Sequence, residues 1–414
     1  MRDEQSAVLV VPLAPADRGN GLAMRAGMLL EAMSARGPVD LVVVPVAGAA
    51  DDLAWARERA RTVLVGAPMT ADAVRGHMIA QLADPELRDR LTASAPLPAR
   101  VTFAPPTLAA ESAAALRSAA TTTGSLLALR LYLAPFGIEL ARRLGANRVV
   151  VDVDDDDEAL HRAVGDDAGA DAYGRLARAW LPMADGVIAA ARDDADALGG
   201  RYGLGPVAVV PNAVAPAVDM GPRPGTGQLL FVGNLTYPPN LAAVRLLAHE
   251  ILPRVRSRRP AVTVDIVGPY DPGALDDVAQ IHGVRIAGLV PDVAPWYAAA
   301  DVVVAPLVQG SGTRIKLLEA FAYRRPVVAT PVAVAGLAVH DGVEVAVADQ
   351  VNHFADSVLR VLRDGRCADA MVEQASRTLA RHYTPAVVAP LVRSAVFGTP
   401  DGHLDRDAGA PEAA

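Results

Sequence analysis

Of the 39 basic residues in this 414-residue chain one is a lysine, Lys316, and the rest are arginines. It stands in Gly310-Ser311-Gly312-Thr313-Arg314-Ile315-Lys316-Leu317-Leu318-Glu319, a glycine-rich turn running into a helical pattern. Such a turn aims free backbone N–H groups at an anion, and the helix dipole adds to the attraction. Ser311, Gly312 and Thr313 read as the backbone and hydroxyl part of that cradle, Arg314 and Lys316 as its cations. Against phosphate the two cations are not equivalent: lysine is a compact point charge on a flexible stem, arginine a planar fork. Glu319 follows Lys316 by three positions, on the neighbouring part of one helix face about 4.5 Å along the axis. It has two readings. It accepts hydrogen bonds from two vicinal hydroxyls, as a ribose would offer, or it forms an ordinary intrahelical pair with Lys316 worth a few tenths of a kcal/mol.

Three weaker loops share the arrangement of a strand, a glycine turn and a helix. The first is Pro15-Ala16-Asp17-Arg18-Gly19-Asn20-Gly21, the second Gly233-Asn234-Leu235-Thr236-Tyr237-Pro238-Pro239-Asn240, the third Gly268-Pro269-Tyr270-Asp271. Glycine there lets backbone approach a ligand closely, so Gly19, Asn20, Gly21, Gly233, Asn234 and Gly268 are candidate ligand-binding positions. The first loop is not a dinucleotide fingerprint, because the third glycine would fall at Met24, and no Walker lysine follows it. From this loop alone, a plain tight turn and a ligand loop are about equally supported.

Asp152, Asp154, Asp155, Asp156, Asp157 and Glu158 form the densest acidic run. Mutual repulsion predicts that most of them are solvated, with one or two, Asp154 and Asp155 above all, facing a cleft. The run superficially resembles an Asp-x-Asp metal site. A solvated rim accounts for it as well, and the eight histidines show no metal-ligand spacing, so no metal is expected. No serine or cysteine has a base paired to it in any nucleophile pattern.

The elements that must position these residues alternate short Val/Leu runs with Ala/Leu/Arg helical stretches, the pattern of parallel sheets covered by helices. Strands are predicted at 7–11, 39–44, 148–153, 185–190 and 207–210, with a helix at 22–36 and a long helical region with proline breaks at 71–129. After a Pro/Gly-rich linker at 215–227, a second unit has strands at 229–232, 263–267, 284–286, 301–305, 326–329 and 343–346. A helix at 385–396 with an apolar face at Val387, Val388, Leu391, Val392 and Val396 follows the second unit, and a polar tail begins at Thr399. The fold class is therefore α/β, two doubly wound units with a ligand expected between them at the carboxyl ends of the strands.

Composition narrows the function classes. Apolar residues reach 52% and aromatics 4%, so the cores are built mainly from Ala, Val and Leu. A net charge of −8 argues against a general nucleic-acid binder, while a local basic face leaves peripheral membrane contact open. Cys367 is the single cysteine, which excludes an internal disulfide and suits a reducing cytoplasm. The apolar run 7–11 ends at Pro12, too short for a signal-peptide core, and no uncharged stretch approaches the roughly 20 residues of a membrane span, so a soluble cytoplasmic protein is expected.

At this point the residues resemble the GT-B glycosyltransferases, and within them glycosyltransferase family 4. The segment 310–330, Gly-Ser-Gly-Thr-Arg-Ile-Lys-Leu-Leu-Glu-Ala-Phe-Ala into Arg325-Pro326-Val327-Val328-Ala329-Thr330, looks like that group's sugar-nucleotide segment. Residues 283–306, Pro211-Asn212, 229–247 and the Asp17–Gly21 loop match in kind and order. The resemblance implies two Rossmann-like domains facing a cleft: 1–214 on the acceptor side and 215–382 binding a nucleotide-diphosphate sugar. It also implies that the chain segment 383–398 crosses back to the first domain; the polar, small and acidic composition of 399–414 predicts a disordered tail. The resemblance implies a retaining, metal-independent transfer, without a cofactor, to a saccharide, a lipid-linked saccharide or a secondary metabolite, with Arg314, Lys316 and Glu319 in the catalytic roles. Two departures stand out. Many members carry a glutamate eight positions before the one matched by Glu319, where this chain has Ser311, and many place an arginine where it has Asn234. An epimerase or hydrolase on the same fold, and a non-catalytic sugar-nucleotide binder, are the alternatives.

Overall fold

A computed structural model of the chain describes residues 6–45, 52–66, 106–118, 123–217, 221–309 and 315–398. Two all-parallel sheets organise it. The first has seven strands in the order β3-β2-β1-β4-β5-β6-β7 and the second six in the order β10-β9-β8-β11-β12-β13.

In the first sheet β1 (Ser6–Val11) lies between β2 (Val39–Val43) and β4 (Thr123–Leu129), and β5 (Arg148–Asp154), β6 (Gly186–Ala189) and β7 (Ala208–Val209) extend from β4. Every residue of β1 and β4 is buried, as expected for parallel strands covered by helices on both faces. The edge strand β3 (Thr62–Val65) has no residue fully buried, and its short mixed run carried too little apolar signal to predict a strand. The predicted helical region 71–129 is corrected on the part described. It holds a helix, Pro106–Ser118, but ends in the central strand β4, whose TGSLLAL run has no valine or isoleucine and only Thr123 as a β-branched residue to mark it. Residues 71–105 lie outside the described residues.

The second sheet places β8 (Gln228–Val232) between β9 (Thr263–Val267) and β11 (Val302–Ala305), with β10 (Val284–Gly288), β12 (Val327–Ala329) and β13 (Ala346–Val347) outward. The last strand begins where 343–346 was expected to end. Val343 is exposed in a turn instead, its N–H on the His340 carbonyl.

In both sheets the strand order reverses beside the first strand of the unit, between β1 and β4 and between β8 and β11. Crevices at such switch points open outside the carboxyl ends of the strands. The loop 12–20 and Arg130 follow β1 and β4; Gly233 follows β8, and the chain after β11 leads on to the helix that carries Lys316. The units meet here. A Cβ on Gly21 would sit 3.2 Å from Ile315 Cδ1, and Met24 is buried in the core of the second unit.

The helix Pro385–Phe397 runs against the Gly21–Ser34 helix, and its Val388, Val392 and Val396 are fully buried in the core beneath β1, β2 and β5. Val387 and Leu391, which belonged to the expected apolar face, are exposed. The strip facing the first unit is thus the 388/392/396 spacing of one narrow helix edge.

Candidate functional site

The second-unit half of the cleft is built on the ends of β8 and β9. After Val232 the chain turns at Gly233 into Asn234, whose Oδ1 accepts from the Thr236 N–H at 3.0 Å and the Thr236 hydroxyl at 2.8 Å. That Asx-type turn, with Pro238 and Pro239 opening the following helix, fixes the loop locally. Gly268 at the end of β9 lies against it. Its φ is +141°, and a Cβ there would fall 1.8 Å from the Gly233 carbonyl oxygen, so no side chain is tolerated. The two predicted glycines are therefore in direct backbone contact, leaving a floor without side chains.

Lys316 reaches onto that floor. Its Nζ donates to Asn240 Oδ1 at 2.5 Å, lies 4.8 Å over the Phe231 ring, and is 3.2 Å from where a Cβ of Gly233 would be. Asn240 Nδ2 in turn donates to the Asn234 carbonyl at 2.7 Å. Lys316, Asn240, Asn234, Gly233 and Gly268 thus form one connected surface at the carboxyl edge of the sheet. Ser311, Gly312, Thr313 and Arg314 lie outside the described residues, and the helix Ile315–Ala322 begins directly after them.

One turn along that helix Glu319 is buried. The Tyr297 hydroxyl donates to its Oε2 at 3.3 Å, and the Tyr297 ring stacks on Tyr323 at 4.4 Å. Burial pushes the Glu319 carboxyl up to about 7, against the pull of the Tyr297 hydrogen bond and the Lys316 charge. Tyr297 is itself anchored: the buried Arg325 donates to its carbonyl at 2.6 Å and to that of Ala298 at 3.2 Å. A carboxylate held so close to neutrality gains from new hydrogen-bond donors such as sugar hydroxyls, which favour its charged form.

On the first-unit half, Gly19 is left-handed with φ +94° and Asn20 caps the Gly21–Ser34 helix, its Oδ1 accepting from the Leu22 N–H at 2.9 Å. The predicted solvation of the acidic run is corrected. Asp152, Asp154, Asp156 and Asp157 are buried, because three arginines distant in sequence fold onto them. Arg25 forks onto both oxygens of Asp152 at 2.8 Å. Arg130 reaches Asp155 at 2.7 Å, Asp157 at 2.5 Å and Asp154 at 3.3 Å, and Arg201 reaches Asp156 at 2.9 Å. Asp155 keeps the open edge of the cluster, its side chain 27% exposed against 11% for Asp154.

Burial, then the neighbouring Asp155 charge, push Asp154 up to about 7 despite Arg25 and Arg130. Burial pushes Asp157 up to about 7 as well, against Arg130. Burial works against the charge of Arg25, but Asp152 and Asp154 outweigh it and hold the guanidinium above its ordinary value. Among the described residues no group of three or more His, Cys, Asp or Glu is placed to hold a metal ion. Nor is any described helix long and apolar enough to cross a membrane.

The structure thus brings Gly233, Asn234, Gly268, Lys316 and Glu319 together on one side, with Gly21 abutting the start of the lysine helix and Gly19 and Asn20 preceding it on the same loop. Asp154 and Asp155 sit on a separate rim at the end of β5. Sequence reasoning missed Arg25, Arg130, Asn240, Tyr297 and Arg325. In a chain whose cations are almost all arginine none of these stands out, and only Asn240, inside a Pro-Pro-Asn helix start, carried a local signal.

Residues 226–364 match the family model described as Glycosyl transferases group 1. No curated protein matches the chain in sequence. Solved structures similar to it include HepE of Anabaena in complex with UDP and glucose, 14% identical over 94% of this chain and 98% of that one, with a TM-score of 0.64. Sucrose-phosphate synthase of Thermosynechococcus elongatus is 17% identical over 93% and 96%, with a TM-score of 0.67. TarM of S. aureus is 11% identical over 95% and 99%, with a TM-score of 0.66. At such identities the likeness establishes the two-domain fold across nearly the whole chain.

Proposed function

We propose that this glycosyltransferase, a nucleotide-sugar-dependent GT-B protein whose residues 226–364 match Glycosyl transferases group 1, transfers its sugar with retention at the anomeric carbon. The observation that carries the reading is the Lys316–Asn240–Asn234 relay laid on the touching Gly233 and Gly268 backbones. It offers a compact cation and close backbone approach at a strand-end crevice, which is what a diphosphate needs.

In this reading the diphosphate lies between the Gly233 loop and the Gly310–Arg314 turn, with Arg314 and Lys316 taking its charge. Ser311 and the turn's N–H groups supply the remaining polar contacts, and Glu319 accepts the ribose hydroxyls. The bond from the anomeric carbon to the diphosphate oxygen breaks as the acceptor hydroxyl attacks from the same face. The acceptor proton passes to the departing phosphate oxygen, so no protein base is required. The chain's contribution is chiefly electrostatic: Lys316, Arg314 and the helix N-terminus stabilise charge building on the leaving group. Gly19, Asn20 and Gly21 close the site from the first unit, and Asp154 and Asp155 border the acceptor. HepE binds UDP and glucose in its solved complex, which makes UDP the first nucleotide to try.

The test is a thermal-shift panel of UDP, GDP, dTDP and ADP, each with and without an attached sugar, followed by NMR of the product's anomeric signal. One nucleotide at about 100 times its Kd should add about 2.7 kcal/mol of stability. No stabilisation by any of them at millimolar concentration refutes the site. An inverted product refutes the retaining mechanism, and a sugar altered without any acceptor favours the epimerase.

A further inference from the structure

We propose that Arg25 is a positioning residue that ties the acceptor-side carboxylate Asp154 to Val210 and Asn212, where the chain leaves the first sheet toward the linker. The inference rests on the reading of Asp154 as part of the acceptor rim.

Arg25 projects from the Gly21–Ser34 helix with a side chain wholly out of solvent. Its planar fork has five N–H donors, and the contacts divide by direction. Nε and Nη2 hold both oxygens of Asp152 at 2.8 Å, and Nε also lies 3.3 Å from Asp154 Oδ1. Nη1 points the other way, donating to the Val210 carbonyl and to Asn212 Oδ1, each at 3.1 Å. Val210 follows the last strand of the first sheet, and the buried Asn212 opens the connection to the second. One rigid guanidinium therefore grips the end of β5 and the start of that connection at once.

The grip on β5 is transmitted to Asp154. Asp152 Oδ1, fixed by Arg25, accepts the Asp154 backbone N–H at 3.0 Å. Asp154 itself is left-handed at φ +61°, an uncommon conformation for a residue with a side chain, and needs surroundings that enforce it. A buried ion pair of this kind is seldom more stable than apolar residues of equal volume, so stability alone does not account for it. Specification of geometry does. Lysine cannot replace it, because a point charge cannot face both directions.

The charged and polar groups facing Asp154 are Arg25 from its helix, Arg130 after β4, and Asp152, Asp155 and Asp157 on its own segment, with Tyr132 behind Arg130. Of these only Arg25 also bonds to Val210 and Asn212. Asn212→Ala removes one partner of Arg25 Nη1 without altering any residue of the acidic run. The Asp154 carboxyl is then followed by NMR pH titration in the full-length protein with ¹³C-labelled aspartate. For Asn212→Ala the midpoint is expected to rise by about 0.3–0.5 pH units as Arg25 loosens, and by more in Arg25→Met, where its charge is gone. A midpoint unmoved in Asn212→Ala overturns the proposal, since an arginine serving only to hold the fold would lower the melting temperature and leave the titration in place. Should Arg25→Met fail to fold, Asn212→Ala decides alone. The titration needs no substrate, so its outcome is separate from nucleotide binding, on which the functional reading stands or falls.

Discussion

Replacing Lys316 tests the site most directly, and the structure gives two separate magnitudes. The first is structural. Lys316→Ala removes the hydrogen bond to Asn240 and the contact over Phe231, leaving Asn240 Oδ1 without that ammonium. A hydrogen bond from a charged group is worth about 1.5–3 kcal/mol and a cation–π contact about 0.5–1 kcal/mol. Because Lys316 is only partly buried the lower ends apply, roughly 2 kcal/mol, which lowers Tm by about 4–8 °C for a domain of this size. The second is chemical. If Lys316 meets the charge that grows on the departing diphosphate, its loss costs about 10²–10³ in kcat.

Lys316→Arg separates the two. Charge is kept, but Nζ already stands 3.2 Å from the Cβ position of Gly233, and a guanidinium there must push against that loop or turn away from Asn240. Sugar-nucleotide binding in the ground state is therefore expected to survive in part while kcat falls about 10–100-fold, more than KM rises. Initial rates at 25 °C, with the sugar nucleotide varied and the folded fraction checked by circular dichroism, give both parameters. Near-wild-type kcat in folded Lys316→Ala refutes the catalytic role.

Glu319→Gln keeps the shape that receives the Tyr297 hydroxyl and removes the titration. A folded-state carboxyl raised from 4.5 to about 7 stabilises the fold fully only below its unfolded value, and that contribution is lost as pH rises through about 7. The glutamine variant should accordingly gain up to roughly 3 kcal/mol relative to wild type between pH 4.5 and 8 in denaturant titrations without ligand, while binding the nucleotide at least tenfold more weakly; parallel pH profiles contradict this. Deletion from Tyr383 onward removes Val388, Val392 and Val396 from the first-unit core, about 1.5–3 kcal/mol each, and should unfold that unit in hydrogen exchange, whereas deletion from Thr399 should leave melting unchanged. Transfer is expected to persist in excess EDTA, since the carboxylates of the acidic run are committed to Arg25, Arg130 and Arg201; loss of activity restored by Mn²⁺ or Mg²⁺ argues for a metal-assisted step.

What was legible in the sequence was what local pattern controls. Valine-rich runs such as those of β1, β5 and β11 can only be strands buried on both faces, and their alternation with helical stretches forces parallel sheets with crevices at the switch points. Glycine turns at the ends of β1, β8 and β9 were legible for the same reason, because a chain that must approach other backbone closely has few alternatives. The edge strand β3 and the central β4 were not, since neither TVLV with its exposed valine nor TGSLLAL distinguishes strand from helix without its neighbours.

The acidic run shows where local reasoning fails. Taken alone, six acids in seven positions repel and must reach water, and that inference is sound for an isolated segment. It fails because Arg25, Arg130 and Arg201, lying 127, 24 and 45 positions from their partners, arrive only when the sheet has formed. Their arrival does not remove the cost of burial, which still holds two carboxyls of the cluster up to about 7 against the pull of the arginines. The residues expected as a solvated rim therefore form a buried ion-pair cluster, and its shape is set by arginines that no spacing rule could have chosen. Arg25 also bonds to Val210 and Asn212, where the chain leaves the first sheet, so one guanidinium joins the end of β5 to the start of the connection between the sheets.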